Sequence, residues 1–323
     1  MMVFQMKINE LHCEIKKQLV PLIDNDYVLW DLPYYNNIGD ILIWEGERQF
    51  LNKLPYKCLN SASLYTCTFP KLDPDTIILL QGGGNFGDLW REHQNFRLKV
   101  IESYPDNRII VFPQTVYYED VEQICRDNDK MRLHKRLTLC ARDLLSYNLL
   151  KDNFENQVLL LPDMAFCIEE GTFRKWRKKE KSKTLFLQRL DKEAVDVEGL
   201  GILQLEENLD IRDWPSIEKE SWSMYVFNKM VSLQSILTRK RIRSRGVNFI
   251  LDWIASSVFR PLLLKQGIGF VSSYHYIYTT RLHVMILSIL LHKRVKFIDN
   301  SYGKNSSFYD TWLKDLNGVE PYF

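Results

Sequence analysis

The chain has 323 residues, of which 46% are hydrophobic and 26% are charged, and its formal net charge is +2. This length exceeds the size at which one core keeps growing, so we expect two domains, and the near-neutral charge does not indicate a nucleic-acid partner. Six cysteines without a CxxC pair or zinc-ligand spacing predict no metal site and indicate reduced thiols in a cytoplasmic protein. The first residues lack the apolar segment of a signal peptide, and no apolar run reaches the ~20 residues that cross a bilayer. We therefore expect a protein that is soluble or attached to a membrane surface.

Short apolar segments alternate with helical patterns along the chain. The strands predicted from these segments are 27–32, 76–80, 108–112, 137–141, 158–161, 184–188, 201–205, 267–271, 276–280 and 295–298. The helices predicted between them include 41–51, 94–104, 120–135, 143–153 and 284–291. Near-continuous apolar strands separated by helices are typical of parallel sheets that are covered on both faces and joined by right-handed crossovers. The predicted fold class is therefore α/β.

A lysine-rich stretch, residues 173–183, divides this pattern into two halves and has almost no apolar content. A run of charge without apolar residues is typical of a solvated connection. We predict a basic linker at 173–183, between an N-terminal domain at 1–172 and a C-terminal domain at 184–323.

Two polar motifs follow predicted strands in the first half. The sequence NNIGD (residues 36–40) precedes a helix, and there Asn37 and Asp40 either cap the helix or hydrogen-bond a polyol, while Gly39 permits a tight turn. The sequence QGGGNFGD (residues 81–88) directly follows a buried strand. Its consecutive glycines favour a backbone that passes close to a ligand or forms a nest of N–H groups for an anion. The loop has neither a clean GxGxxG pattern nor a P-loop, so it does not indicate a nucleotide site.

The second half contains a β-turn-α-β unit in which TTRLH (residues 279–283) ends a strand and precedes an apolar helix. In an open parallel sheet, ligands bind beyond the carboxyl ends of the strands, where helix N-termini offer N–H groups and positive potential. Arg281 and His283 are therefore placed to hold a small anion and to move a proton. The alternative is that His283 caps the helix and Arg281 pairs with a surface carboxylate.

In their order along the chain, these motifs resemble those of the polysaccharide pyruvyl transferase family, which moves the enolpyruvyl group of phosphoenolpyruvate onto a sugar as a ketal. The resemblance covers about residues 36–304 and is carried by NNIGD, GGGNFGD, FPQT, CARD (140–143) with Ser146, LPD (161–163), FLQR (186–189) and TTRLH…KRVKFIDNSYGK. Residues 222–264 depart from the family pattern. They contain a basic cluster (239–245) and an apolar, helix-like run (249–264).

The resemblance implies two Rossmann-like domains that face a cleft, as in GT-B glycosyltransferases, with no metal and no bound organic cofactor. It implies that His283 protonates phosphoenolpyruvate, and Asp40 either accepts a proton from the sugar or hydrogen-bonds it. The residues expected to bind the donor are Arg281, Leu282, Arg189, Arg142, Lys304 and Thr280. The residues expected on the acceptor side of the cleft are Asn37, Gly39, Gly83, Gly84, Asn85 and Asp88. For Asp88, capping of the following helix is the alternative.

The expected acceptor is a sugar of a bacterial surface polysaccharide repeat unit, carried on a polyprenyl lipid at the inner face of the membrane. The basic cluster beside an apolar helical run is typical of contact with anionic lipid headgroups, although a solvated linker is the alternative. Two other functions stay open, a nucleotide-sugar glycosyltransferase of the same architecture and a non-catalytic protein that binds carbohydrate or anions. The second half has neither an acidic motif for a nucleotide ribose nor a DxD motif for a metal, which disfavours the glycosyltransferase. The sequence does not specify the acceptor sugar or the hydroxyl pair.

Overall fold

Two parallel β-sheets organise the chain in the computed structural model, which describes residues 2–189, 208–239, 245–299 and 303–322. The strands of the first sheet are β1 (Tyr27–Trp30), β2 (Cys58–Ala62), β3 (Ile77–Leu80), β4 (Gly83–Gly87), β5 (Ile109–Tyr117), β6 (Leu137–Ala141) and β7 (Gln157–Leu160). Their order is β2-β1-β3-β5-β6-β7, and β4 pairs with β5. The side chains of β1, β3 and β6 are buried throughout, since both faces of the sheet are covered.

The second sheet is formed by the part of the chain that follows Lys181. Its strands are β8 (Lys181–Leu187), β9 (Leu209–Arg212), β10 (Tyr274–Thr279), β11 (Val295–Phe297) and β12 (Val319–Pro321). Their order is β12-β11-β10-β8-β9, and every pair is parallel. The molecule is therefore a mixed α/β protein with Rossmann-like parallel sheets.

Helices cover both sheets. In the first half they are α1 (Met2–Leu19), α2 (Ile38–Leu51), α3 (Arg91–Ser103), α4 (Val121–Met131), α5 (Leu144–Asn153) and α6 (Glu170–Trp176). In the second half they are α7 (Pro215–Glu218), α8 (Trp222–Arg239), α9 (Arg245–Ile254), α10 (Arg260–Ser272), α11 (Leu282–Leu290) and α12 (Lys304–Trp312). Helix α11 is apolar on all sides and wholly buried, because it packs against α1, α2, α10 and the strands β10 and β11.

The hydrophobic core is continuous between the two sheets. One cluster of buried side chains runs from Phe4 in α1 to Val319 in β12. Successive residues of the first sheet point to opposite faces. In β1, Leu29 belongs to this cluster, and Val28 belongs to a second cluster on the other face of the sheet. The shared cluster holds the carboxyl ends of both sets of strands at one cleft.

Most of the predicted strands and helices are confirmed, but one prediction is wrong. Residues 267–271 are part of α10 and not a strand. A short apolar run of this kind has the composition of a buried strand or of a buried helix, and periodicity alone does not separate the two. Gly267 has a packing role there, since a Cβ atom at this position would lie 2.4 Å from the side chain of Ile38. The predicted strand 201–205 lies outside the described residues.

Two regions of the structure differ from the sequence prediction in ways that affect the cleft. The glycine-rich motif is partly a short strand, β4, instead of a loop. Helix α2 begins at Ile38, three residues earlier than predicted, so Gly39 and Asp40 lie in its first turn. The lysine-rich stretch 173–183 contributes the end of α6 and the start of β8.

Candidate functional site

A cleft of about 240 Å³ lies where the strands of the two sheets end. The side chains and loops that line it come from both halves of the chain. The predicted site residues that line the cleft are Asn37, Asp40, Gly84, Asn85, Arg142, Arg189, Arg281, Leu282, His283 and Lys304. The structure therefore brings together residues that are up to about 270 positions apart in the sequence.

His283 lies in the first turn of α11, just after β10, and only 8% of the residue is exposed. Its Nε2 is 3.4 Å from a carboxylate oxygen of Asp163 and 3.3 Å from Nη1 of Arg142. Burial opposes the ionised form of Asp163, but the hydrogen bond and charge of His283, the charge of Arg142 and the Ala165 N–H together lower its pKa below the ordinary value. The Asp163 carboxylate is therefore ionised, and it lies within reach of both His283 and Arg142.

Arg142 is fixed by buried partners at the end of β6. Its Nε donates to Thr115 Oγ1 at 2.8 Å, and its Nη1 donates to Asp163 Oδ2 at 2.8 Å. Its Nη2 is buried and has no hydrogen-bond partner among the described residues. A Cβ atom at Gly84 would lie 3.2 Å from this Nη2 and 3.2 Å from Nζ of Lys304. Two cations therefore converge on the space beside Gly84, which is open because glycine has no side chain.

Arg281 is held by a carboxylate that the sequence gave no reason to select. Its Nε and Nη2 donate to the two oxygens of Asp213, both at 2.7 Å, and both residues are buried. This bidentate pair fixes the guanidinium plane at the wall of the cleft and balances its charge. The partner is thus a buried carboxylate and not the surface carboxylate of the alternative interpretation.

Backbone groups add positive potential at the same wall. The N–H groups of Leu282 and His283, at the start of α11, form no hydrogen bond within the described chain. Helix α12 begins at Lys304, and its N-terminus meets the cleft next to that side chain. A helix N-terminus favours a negatively charged ligand, so the cations and the start of α11 form one anion-binding region. At the start of α12, the N–H groups of Asn305 and Ser306 donate to Asp299 Oδ1 instead. Thr280 lies behind it, where its Oγ1 accepts the Arg189 N–H at 2.7 Å.

The opposite wall is formed by the start of α2. Asp40 Oδ2 accepts hydrogen bonds from the Tyr35 hydroxyl at 3.0 Å and from Asn37 Nδ2 at 2.8 Å. Asn37 also caps the helix, because its Oδ1 accepts the Gly39 N–H at 3.0 Å. Gly39 does not line the cleft, and its role is close packing. A Cβ atom there would lie 2.4 Å from Nδ1 of His283.

Two further predicted acceptor-side residues do not line the cleft. Gly83 lies beside it in a left-handed conformation, with φ of 139°. Asp88 lies away from it, where its carboxylate accepts the N–H groups of Glu119 and Asp120 at 2.8–3.0 Å. Asp88 therefore acts as a cap before α4, which agrees with the capping alternative and not with a place in the cleft.

A second histidine, which sequence reasoning left in the background, also lines the cleft. His93 Nδ1 is 2.7 Å from Oδ1 of Asp31, a buried residue with a positive φ of 67° at the end of β1. Burial lowers the pKa of His93, but the charge and the hydrogen bond of Asp31 together raise it by more, so the pKa of His93 lies above its ordinary value. Because the carboxylate accepts from Nδ1–H, Nε2 is the nitrogen left to take a proton. The strand end before residue 31 was the only sequence signal for Asp31.

Groups of His, Cys, Asp and Glu that could together hold a metal ion were searched across residues 2–189, 208–239, 245–299 and 303–322, and none is present there. All six cysteines are free thiols, and Cys67, Cys140 and Cys167 are buried.

Comparison with known proteins gives a consistent assignment. The family model "Polysaccharide pyruvyl transferase" matches residues 37–302. "Putative pyruvyl transferase EpsO" of Bacillus subtilis (strain 168) is 30% identical over 311 residues, which is 94% of this chain and 91% of that protein. "Pyruvyl transferase 1" of Schizosaccharomyces pombe is 28% identical over 303 residues, which is 89% of this chain and 70% of that protein.

The fold also has a solved counterpart. A crystal structure of an uncharacterised protein from Klebsiella pneumoniae superposes with a TM-score of 0.63 at 18% identity, and covers 95% of this chain and 96% of its own. At this identity the likeness concerns the fold alone. The family match extends over most of the chain and includes every cleft-lining residue predicted from the sequence except Lys304. The chain therefore belongs to the polysaccharide pyruvyl transferase family and is a pyruvyltransferase that acts on a saccharide acceptor.

Proposed function

We propose that the cleft binds phosphoenolpyruvate and transfers its pyruvyl group to two hydroxyls of a sugar as a ketal. The observation that supports this most is the convergence of Arg142 Nη2 and Lys304 Nζ beside Gly84, next to His283. A small ligand with a phosphate and a carboxylate needs several fixed cations and a nearby acid. The cleft volume of about 240 Å³ is below the roughly 300–1,000 Å³ of sites for drug-sized ligands, which favours a small acid over a nucleotide sugar.

In the proposed reaction, His283 gives a proton to the methylene carbon of phosphoenolpyruvate, and an oxocarbenium-like centre forms at C2. One sugar hydroxyl attacks C2, the bond between C2 and the phosphate oxygen breaks, and the second hydroxyl then closes the ketal. The two hydroxyl protons pass in turn to a base on the opposite wall and from there to solvent. Solvent returns one proton to His283, and the other leaves with inorganic phosphate. Asp163, with its Oδ2 3.4 Å from His283 Nε2, would hold the imidazole in position for this transfer.

We propose His93 as the group that accepts the hydroxyl protons, with Asp40 as a hydrogen-bonding partner of the sugar. Asp40 Oδ2 already accepts two hydrogen bonds, from the Tyr35 hydroxyl and from Asn37 Nδ2, so this oxygen is occupied. His93 has a raised pKa and a carboxylate behind it that stabilises the imidazolium formed when it takes a proton. The opposed walls of the cleft would then carry the acid and the base.

The two halves of the chain form different walls of the cleft, and we assign a different substrate to each half. We propose that 1–172 and 184–323 are two Rossmann-like domains, joined by the basic linker 173–183 and facing the cleft in a GT-B-like manner. The first would present the acceptor and the second phosphoenolpyruvate, with Arg142 as a contribution of the first domain to the donor site. The proposed acceptor is a repeat unit of a bacterial surface polysaccharide on a polyprenyl carrier, at the cytoplasmic face of the membrane.

The test is release of inorganic phosphate from phosphoenolpyruvate in the presence of a panel of saccharides, with mass spectrometry of the products. The wild-type protein should release phosphate with an acceptor and form a pyruvylated sugar. The His283→Gln variant should lose turnover and keep the thermal stabilisation by phosphoenolpyruvate, since the anion-binding groups are unchanged. Full activity of that variant would remove His283 from the mechanism.

A further inference from the structure

Exposed apolar side chains are concentrated in one part of the described chain. Of the 21 large hydrophobic residues that are exposed, 11 fall within residues 217–262, and so do all the exposed aromatic ones. These aromatic residues are Trp222, Tyr225, Phe249 and Trp253. Scattered apolar residues are normal on a surface, but a cluster of this kind marks an interaction site.

Helix α8 has two apolar stripes on opposite sides. Its buried stripe packs on the body of the protein, and consists of Met224, Phe227, Val231 and the polar Gln234. Its exposed stripe follows the same helical spacing, and consists of Trp222, Tyr225, Leu233 and Ile236. Lys229 lies on the exposed stripe, with its Nζ 5.3 Å from the centre of the Tyr225 ring. A helix that is apolar on both sides needs a partner for each.

Helix α9 repeats this arrangement. Its inner face is anchored to the first half of the chain, because Asp252 accepts hydrogen bonds from Tyr34 and Thr66 at 2.8 and 2.6 Å. Its outer face carries Phe249 and Trp253, which are 73% and 57% exposed, together with Ile250. Positions i, i+1 and i+4 lie on one side of a helix. Both helices therefore turn an apolar stripe away from the body to which their inner faces are fixed.

The continuous helical stretch Gly246–Ser272 is long and apolar enough to cross a membrane by length and composition. Its second half is instead a core helix, since Leu263, Leu264, Ile268 and Val271 are fully buried. Only its first half is exposed, which suits a helix that lies on a bilayer surface and does not span it.

The positive charge of the segment between α8 and α9 indicates which kind of partner these exposed stripes would bind. In the sequence, the segment that joins α8 to α9 (239–245) has five basic residues and no acidic residue, although 240–244 lie outside the described structure. We propose that the exposed stripes of α8 and α9 form a docking surface for a membrane rich in anionic lipid. Basic residues next to aromatic and aliphatic side chains match an anionic headgroup layer above acyl chains. A symmetric contact between two copies of the chain would instead bring two basic segments together.

The surface adjoins the mouth of the cleft. Ile217 in α7 lines the cleft, and Trp222 follows it by five residues. The connection is held to the acceptor wall, because Ser216 Oγ donates to the Asn36 carbonyl and Asn36 Nδ2 donates to Glu220. Docking would thus present the cleft to a sugar carried on a lipid. This purpose rests on the proposed function, whereas binding to vesicles can be measured without turnover.

The experiment is flotation of the full chain with vesicles of phosphatidylcholine alone or mixed with phosphatidylglycerol, with brominated phosphatidylcholine as a quencher of tryptophan emission. The wild-type protein should bind the mixed vesicles and be quenched. The double variant Phe249→Ser/Trp253→Ser should bind roughly tenfold to hundredfold more weakly, because two large apolar side chains no longer insert. Arg241→Ser/Arg243→Ser should lose roughly fivefold in binding for each charge removed.

Two control variants distinguish docking through this surface from non-specific hydrophobic binding. Val121→Ser/Leu133→Ser removes two exposed apolar side chains elsewhere and should bind as the wild type does. Trp222→Phe/Trp253→Phe keeps the apolar surface and should bind normally but lose most of the quenching. Absent binding, binding that survives Phe249→Ser/Trp253→Ser, or binding without quenching would overturn the proposal. The proposal would also be overturned if the wild-type protein bound no vesicles but formed a dimer, and if Phe249→Ser/Trp253→Ser dissociated that dimer. Stabilisation by phosphoenolpyruvate, measured in parallel, reports on the proposed function independently.

Discussion

Substitution of Gly39 by alanine tests the position of His283 without touching any charged group. The new Cβ atom would lie 2.4 Å from Nδ1 and 2.8 Å from Cγ of His283, while ordinary contact begins at 3.4 Å. The imidazole must therefore move by about 1 Å, and a misplacement of about that size can cost roughly a hundredfold in rate. Alanine favours the helix by about 0.5–1 kcal/mol, and overpacking costs about 1–3 kcal/mol, so the net loss of stability should stay below about 2.5 kcal/mol.

The assay compares phosphate release with thermal stabilisation by phosphoenolpyruvate in Gly39→Ala and in a matched control. Gly171 lies in helix α6, and a Cβ atom there meets nothing within 4 Å, so Gly171→Ala should leave both quantities unchanged. Gly39→Ala should lose turnover roughly a hundredfold while the anion still binds through Arg142 and Lys304. Wild-type turnover in Gly39→Ala would refute the placement of the proton donor against α2.

Three other predictions follow from buried charges. Arg281→Ala should lower the free energy of unfolding in urea by about 3–5 kcal/mol, because Asp213 stays buried and unpaired, and Arg281→Met/Asp213→Leu should recover much of this loss. Burial raises the pKa of Asp252 to about 6, so the folded state holds a proton that the unfolded state has lost between about pH 4 and pH 6. The free energy of unfolding should therefore fall by up to about 3 kcal/mol as the pH rises from about 4 to above 6, and Asp252→Asn should abolish this dependence. His93→Gln should lose phosphate release but keep stabilisation by phosphoenolpyruvate, since Asp31 and His93 act on the acceptor; an unchanged rate would exclude His93 as the base.

The arrangement of strands and the polar residues at their ends could be read from the sequence. Buried parallel strands are short apolar runs, and their carboxyl ends meet at one edge of each sheet, so the motifs around Asp40, Gly84 and His283 were expected to converge. The structure places all three at the cleft or against it. For Asp88 the sequence left two roles open, because a strand-end carboxylate can also serve as a cap, and the choice depends on which N–H groups are near it.

The partners of the charged groups could not be predicted. Asp213 is 68 positions from Arg281, and Asp31 is 62 positions from His93, so no local spacing connects either pair. Each pair forms only when elements distant in the sequence come together in the fold. His134 illustrates the same limit, since its neighbours in the sequence are polar and yet it is buried, with Nε2 2.9 Å from the Tyr104 carbonyl.

The exposed face of α8 and α9 was only partly visible in the sequence. The basic cluster and the apolar run were recognised in the sequence. A helical sequence that is apolar on two sides, however, predicts a helix buried in the core. Whether its second side is covered depends on the rest of the fold. Phe249 and Trp253 are exposed because no other described element packs over them.

Thermal unfolding with phosphoenolpyruvate, and separately with UDP-glucose, tests the donor assignment most directly. Ligand at 100 times its dissociation constant should stabilise the native state by about 2.7 kcal/mol, which a shift of the unfolding midpoint reports. We predict this shift with phosphoenolpyruvate alone, and its loss in Lys304→Met, which removes one of the two cations beside Gly84. A shift with the nucleotide sugar and none with phosphoenolpyruvate would contradict the account and identify the cleft as a glycosyltransferase site.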